Sequence, residues 1–158
     1  MYHLIVRAKV RGIFAAISRG DYEPMLASLA PTFRYRFYGD HALGGERHTV
    51  EAVRLWWERI FRMLPAPTFE VREVLVTGWP WDTRVATSVR VSAPLPGGAQ
   101  YDNVVNQFIR MRWGRVTSVE TLEDTQNLVR TLDHMAAHGH PEAHAAPITD
   151  GDARSAVG

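Results

Sequence analysis

Phe69-Glu70-Val71-Arg72-Glu73-Val74-Leu75-Val76-Thr77 opens a long stretch in which apolar and polar side chains largely alternate. A period of two marks a strand with one buried face. Gly78-Trp79-Pro80-Trp81-Asp82 reads as a turn and Arg84 to Ser92 as the next strand. Pro94-Leu95-Pro96-Gly97-Gly98 turns the chain again. Tyr101 to Arg112 is a long strand, Trp113-Gly114-Arg115 a tight turn, and Val116 to Leu122 the last strand. Four consecutive strands joined by short turns predict an antiparallel meander.

Upstream of Pro65 and Pro67 the period is three to four. Val6, Val10, Ile13, Phe14 and Ile17 line one face of an amphipathic helix, which Gly20 ends. Asp21 can cap a short second helix carrying Met25, Leu26 and Leu29, stopped near Pro31. Phe33, Tyr35 and Phe37 alternate with Arg34, Arg36 and Tyr38 as an aromatic strand, and Gly39 to Gly45 reads as a loop. Thr49 caps a third helix bearing Val53, Trp57, Ile60, Phe61 and Leu64. Downstream, Asp124 caps a final helix with Leu128, Leu132 and Met135. Helices first and strands after argue an α+β class. The expected architecture is a curved antiparallel sheet of four to five strands around three N-terminal helices, a cone with an internal pocket. Residues 1–138 form the expected single domain. From Gly139 the apolar period disappears, which predicts a flexible tail over 139–158.

Composition narrows the function. The 158 residues suit one core, and 46% of them are hydrophobic. The formal charge of +1 sets up no large field toward nucleic acid or an anionic membrane, so neither is expected as a partner. With no cysteine, disulfides, zinc thiolates and cysteine nucleophiles are excluded. The N-terminal residues lack the features of a secretory signal, so a cytoplasmic location is expected.

The order of elements carries a resemblance. Ile13-Phe14-Ala15-Ala16-Ile17-Ser18-Arg19-Gly20-Asp21 resembles the end of the first helix in SnoaL-like, nuclear transport factor 2-like proteins. Val50-Glu51-Ala52-Val53-Arg54-Leu55-Trp56-Trp57 resembles their third helix, and Arg110-Met111-Arg112-Trp113-Gly114-Arg115-Val116 their last hairpin. Together these span residues 5 to 135. The family includes polyketide cyclases, ketosteroid isomerase, limonene epoxide hydrolase and non-catalytic carriers, so the resemblance implies a fold and not one activity. It also implies a homodimer paired through the outer sheet face, here Val104, Asn106 and Phe108. The isomerase positions for an oxyanion-binding Tyr and Asp correspond to Ile13 and Gln107; the base corresponds to Phe37 or Asp40, depending on the loop count. The epoxide hydrolase Arg-x-Asp pair meets Arg84-Val85-Ala86, and the last-strand acid meets Thr121.

Site candidates follow from chemistry and parity. Asp40-His41, in the loop at the expected pocket mouth, pairs a carboxylate with an imidazole and is the candidate catalytic pair; otherwise it is a loop turn. Asn103 and Gln107 share a face with Val105, Ile109 and Met111, and Val119 and Thr121 join them from the neighbouring strand. Gln107, Asn103, Tyr38 and Thr121 are the candidate ligand-binding residues. Lining that is mostly apolar, with a few donors and no Arg or Lys, predicts a neutral, largely apolar small molecule. Isomerisation, cyclisation or dehydration is the expected chemistry, without metal or cofactor; a non-catalytic ligand-binding or interaction module is the alternative. His134 and His138 lie i, i+4, but without a carboxylate helix motif they do not make a metal site.

Overall fold

The computed structural model describes residues 1–155. Its helices are α1 (Tyr2–Ser18), α2 (Glu23–Ser28), α3 (Val50–Met63), α4 (Thr125–Ala137) and α5 (Asp150–Ser155). Its strands are β1 (Leu29–Phe37), β2 (Gly45–Arg47), β3 (Thr68–Trp79), β4 (Asp82–Pro94), β5 (Gln100–Arg112) and β6 (Arg115–Leu122). The meander of β3 to β6 falls where the alternation places it. Thr49 and Asp124 cap α3 and α4 as read, whereas the N-cap of α2 is Tyr22 and Asp21 stands one residue before it. Thr49 Oγ1 accepts from Ala52 N at 3.3 Å, Asp124 Oδ1 from Asn127 N at 3.1 Å and Asp21 Oδ1 from Glu23 N at 3.1 Å. α1 ends where Gly20, at φ +82°, lets Asp21 N reach back to Ala16 O at 3.0 Å.

The sheet has six strands in the order β2-β1-β6-β5-β4-β3. This differs from the expected four to five antiparallel strands in two ways. β2 is a three-residue strand paired antiparallel to β1, too short to show a period. β1 lies parallel to β6, with Tyr35 beside Val119 and Phe37 beside Thr121. Residue alternation reports that a segment is a strand; it carries no information about its neighbour. Register shifts in β3 at Val71–Glu73 and between β5 and β6 at Arg110–Met111 accompany the curvature.

The inner face of the curved sheet is buried against the helices. Val6, Val10, Phe14 and Ile17 of α1 and Trp56, Trp57, Ile60 and Met63 of α3 meet Val74, Val85, Val89, Val91, Tyr101, Met111 and Val119 of the sheet. The same alternation sends Leu75, Arg84, Phe108, Arg110 and Glu120 to the outer face. Among the described residues no helix is long and apolar enough to cross a membrane.

The C-terminal segment corrects the sequence reading. Where 139–158 is expected to be flexible, Pro141–His144 forms a 3₁₀ turn and α5 packs beside α3. Ala143, Ile148 and Ala153 are buried. Glu142 is paired with Arg59 at 3.1 Å and with Arg62 at 2.7 Å, and Asp150 accepts from the amides of His48 and Thr49. These few anchors are spaced without a period and bind residues about a hundred positions earlier, so no local pattern announces them. Residues 156–158 of the expected tail lie outside the described residues.

Candidate functional site

The cone interior holds two small cavities. One, of about 60 Å³, lies between α1, α2 and the sheet and is lined by Lys9, Ile13, Met25, Tyr35, Ile109 and Met111 among others. The second, of about 50 Å³, lies deeper, walled by Phe37, Leu43, Trp56, Val89, Tyr101 and Glu123 among others. Phe14, Trp57 and Gln107 line both and form the partition between them. A larger depression, about 680 Å³, is on the outside of the sheet between Arg34, Leu75, Arg84, Phe108 and Glu120. It is an open surface hollow with a charged rim, not the apolar interior.

Strand register aligns a row of polar side chains, two of which, Gln107 and Thr121, line the inner cavity. Thr87 of β4, Gln107 of β5 and Thr121 of β6 are direct cross-strand neighbours. Gln107 Nε2 donates to Thr121 Oγ1 at 3.2 Å. Gln107 and Thr121 thus sit in the cavity wall, as their parity predicts. Among the described residues, Thr87 Oγ1 and the indole Nε1 of Trp57 are buried without a hydrogen-bond partner. Such orphaned groups are rare and mark places where a partner is missing.

One turn of the strand pattern further lies an ionisable group. Glu123, just past β6, has the same parity as Thr121 and reaches the inner cavity. Its Oε2 accepts from Tyr101 Oη at 2.5 Å and from Asn103 Nδ2 at 2.8 Å. Burial pushes its carboxyl up to about 7, Asp124 adds to the rise, and the bonds from Tyr101 and Asn103 offset part of it. Burial, then the adjacent Glu123 charge, pushes the Tyr101 phenol upward, so it remains a neutral donor. Asn103 is buried and also donates to Asp124 O at 3.1 Å, while its Oδ1 accepts from Val104 N at 2.9 Å. It therefore orients Glu123 and is absent from the walls of both cavities, which corrects its expected ligand contact. The carboxylate with a value near neutrality can both take and return a proton at physiological pH.

The expected pair Asp40-His41 is elsewhere. His41 is buried under Phe37, ring centroids 5.4 Å apart. Its Nδ1 accepts from Leu43 N at 3.2 Å, which leaves Nε2 to donate to Tyr38 O at 3.2 Å. Burial lowers its pKa, outweighing the Tyr38 bond and Asp40. A neutral imidazole with both nitrogens engaged by backbone holds the loop and is not free as a base. Asp40 is exposed, in a surface groove with Asp133 and His144, away from both cavities. The loop closes tightly: a side chain at Gly44 would meet Gly39 O at 2.1 Å. Tyr38 is also off the site; the Arg36 guanidinium covers its ring at 4.3 Å, and its amide donates to Thr121 O at 3.0 Å. Under the same loop, Arg47 is fully buried, has no carboxylate partner among the described residues, donates to Gly44 O and faces the Trp56 ring at 5.3 Å. Burial draws its pKa down to about 10.

Residue reading missed Glu123, Tyr101, Trp57 as a donor, and Thr87. Glu123 was open to discovery, since parity with Thr121 points it inward. The Tyr101 and Asn103 bonds to it span more than twenty residues and appear only in three dimensions. His134 and His138 stack with ring centroids 4.2 Å apart and spend Nε2 and Nδ1 on the carbonyls of Pro96 and His134.

Comparison with known proteins bears on this arrangement. The family model for the SnoaL-like domain matches residues 10–119. No curated protein matches the chain. Among solved structures, IdmH of Streptomyces antibioticus, a candidate polyketide cyclase, is 20% identical with a TM-score of 0.66, over 80% of this chain and 97% of that one. A nuclear transport factor 2-like protein of unknown function from Burkholderia pseudomallei is 23% identical with a TM-score of 0.66, over 79% and 95%. TerC, co-crystallised with polyporic acid, is 18% identical with a TM-score of 0.62, over 81% and 95%. At such identities the likeness establishes the fold.

Proposed function

The chain belongs to the SnoaL-like domain family, and from that premise we propose that it binds a small, largely apolar organic molecule in the cone and transfers a proton on it. The observation that carries this is Glu123, a carboxyl on the wall of an apolar cavity whose burial raises it to about 7. In the ionised form it takes a proton from a carbon beside a carbonyl, and the electron pair moves onto the carbonyl oxygen. The protonated form then returns the proton to another carbon, which completes an isomerisation, or to a leaving oxygen, which completes a dehydration; a cyclisation closes on the carbanion before the proton returns. Trp57 Nε1, a donor without an acceptor among the described residues, is the group available to a ligand oxygen, and Gln107 lines the same cavity. Tyr101 and Asn103 are positioning residues that act through Glu123. TerC was crystallised with polyporic acid, which supports a small organic ligand for this shape of domain.

The test is a β,γ-unsaturated cyclic ketone in heavy water, followed by absorbance for conjugation and by mass spectrometry for deuterium at the α carbon. Exchange or conjugation by the wild-type protein, lost in Glu123→Gln, supports proton transfer. Ligand binding without exchange supports the second reading, a non-catalytic binder. One observation favours that reading: Glu123 Oε2 is already engaged by Tyr101 and Asn103; under either reading the cavities have room for only a few waters each, so a ligand must displace Phe14 or Trp57. The proposal includes a cytoplasmic location and a homodimer through the outer sheet face, where Leu75 and Phe108 are both more than half exposed.

A further inference from the structure

The turns of the β3–β4 and β5–β6 hairpins meet at one end of the domain. Trp113 N donates to Pro80 O at 2.6 Å and Arg112 Nε to Trp81 O at 3.2 Å, so the two turns form one unit. On it stand three indoles. Trp79 and Trp81 stack at 5.7 Å with rings 5° from parallel, and Trp113 lies 6.2 Å from Trp81. They are 66%, 51% and 71% exposed. The start of α1 is fastened to the same end through Tyr2 Oη with Thr83 Oγ1 at 2.5 Å and His3 Nε2 with Gly78 O at 2.8 Å. That helix start adds Met1, Leu4 and Ile5, each more than half exposed.

This end is also basic. Lys9 of α1 and Arg112 and Arg115 of the β5–β6 hairpin stand here, although the whole chain is only +1. Lys9 Nζ donates to Gly114 O at 3.0 Å and Arg115 to Ala27 O at 2.6 Å, so both are held at the tip by carbonyls that leave their charge uncompensated. Among the described residues neither they nor Arg112 has a carboxylate partner, and Asp82 of the turn is matched by Arg84 at 3.7 Å. The near-zero net charge that argues against an anionic surface therefore hides a segregation that only the fold creates.

We propose that this end docks on an anionic lipid bilayer surface, with Trp79, Trp81 and Trp113 at headgroup depth and Lys9, Arg112 and Arg115 on the lipid phosphates. Indoles sit at that depth because one edge is apolar and the N–H is wet, and cations beside them add attraction to anionic lipid. A second copy of the chain is the poorer occupant, since a two-fold contact sets this basic patch against itself. A single-stranded nucleic acid is poorer too, because Trp79 and Trp81 already stack on each other and leave no slot for a base. The outer of the two cavities has the exposed Lys9 in its wall, with Met111 and Val116 flanking the hairpin tip, so an apolar ligand leaving the bilayer meets the cone at this point. Docking itself does not rest on the acid–base reading; only this ligand route does.

The experiment is co-sedimentation of the full chain with vesicles of phosphatidylcholine alone or mixed with phosphatidylglycerol, together with tryptophan emission. Sedimentation with the mixed vesicles, a blue shift on binding, and release by salt are expected. Trp81→Ser with Trp113→Ser, and separately Arg112→Gln with Arg115→Gln, should each weaken binding at least about tenfold while melting like wild type. Glu123→Gln should bind vesicles fully, so this proposal and the acid–base reading fail separately. A protein that stays in the supernatant with both vesicles overturns the proposal. So does undiminished sedimentation of the tryptophan variant, or binding to a single-stranded oligonucleotide with none to vesicles.

Discussion

Tyr101 Oη donates to Glu123 Oε2 at 2.5 Å, joining the first turn of β5 to the residue after β6. The phenol keeps the carboxyl inside the apolar cavity rather than in solvent, so burial sets its protonation. Glu123→Gln keeps the volume and removes the charge. Turnover of a ketone substrate should fall by about 10²–10⁴-fold, and the wild-type kcat/KM should rise through about pH 7 if Glu123 acts first as a base. Measured activity in the variant equal to wild type would remove Glu123 from the mechanism.

The same carboxyl makes a stability prediction. Its folded pKa of about 7 exceeds the ordinary 4.5, so between these values the folded state holds more protons than the unfolded one. Stability then falls as pH rises from 4.5 to 7, by on the order of 3 kcal/mol for the full shift. Glu123→Gln should gain on wild type at pH 8 and lose that advantage at pH 5, read as the difference in melting temperature.

Asp40→Asn should leave both binding and turnover unchanged, because the carboxylate is exposed and away from the cone. His41 has its folded pKa lowered by burial, so its contribution is present above the unfolded value of 6.5 and lost as pH falls through the folded one. His41→Gln should flatten that acid-side loss in thermal melts while leaving turnover intact. A large loss of turnover in either variant would restore the loop pair as the chemistry.

Truncation after Gly139 should destabilise the domain by about 3 kcal/mol, from the burial of Ile148 and the lost bonds of Glu142 and Asp150. That corresponds to a fall of about 10 °C in melting temperature. A truncated chain melting within a degree or two of the full one would mean that the segment contributes nothing.

Trp57→Phe removes an indole N–H that has no acceptor among the described residues. The variant should still fold, at a cost in stability because Trp57 is buried among Tyr22, Trp56, Phe61 and Phe69, and bind the ligand more weakly by about 1–3 kcal/mol, if the ligand's oxygen is the missing acceptor. Isothermal titration with a co-purifying ligand identified by mass spectrometry measures this, and unchanged affinity would exclude Trp57 as a contact.

Phe108→Asp should convert a dimer into a monomer in light scattering, since it puts a charge on the exposed apolar centre of the outer face. A wild-type protein that is already monomeric at micromolar concentration would leave that face without a partner copy.

The amino-acid sequence alone determined the long elements and which way most of their side chains point, but not β2 or the segment after Gly139. Alternation after Phe69, the helical stripe of Val6, Val10, Phe14 and Ile17, and the caps Thr49 and Asp124 depend on a few adjacent residues, and local sterics and hydrogen bonding decide them. Gln107 and Thr121 were legible for the same reason. Only the tertiary structure decided that β1 runs parallel beside β6, that Asp150 closes on Thr49, and that Tyr101 and Asn103 hold Glu123 in the cone. It also decided that His41 spends both nitrogens on backbone and that Lys9 joins Arg112 and Arg115 beside three indoles. Each of these joins groups far apart in the chain or sets a loop's path. Their energies are gained only after the chain has already been brought together, so no local period records them.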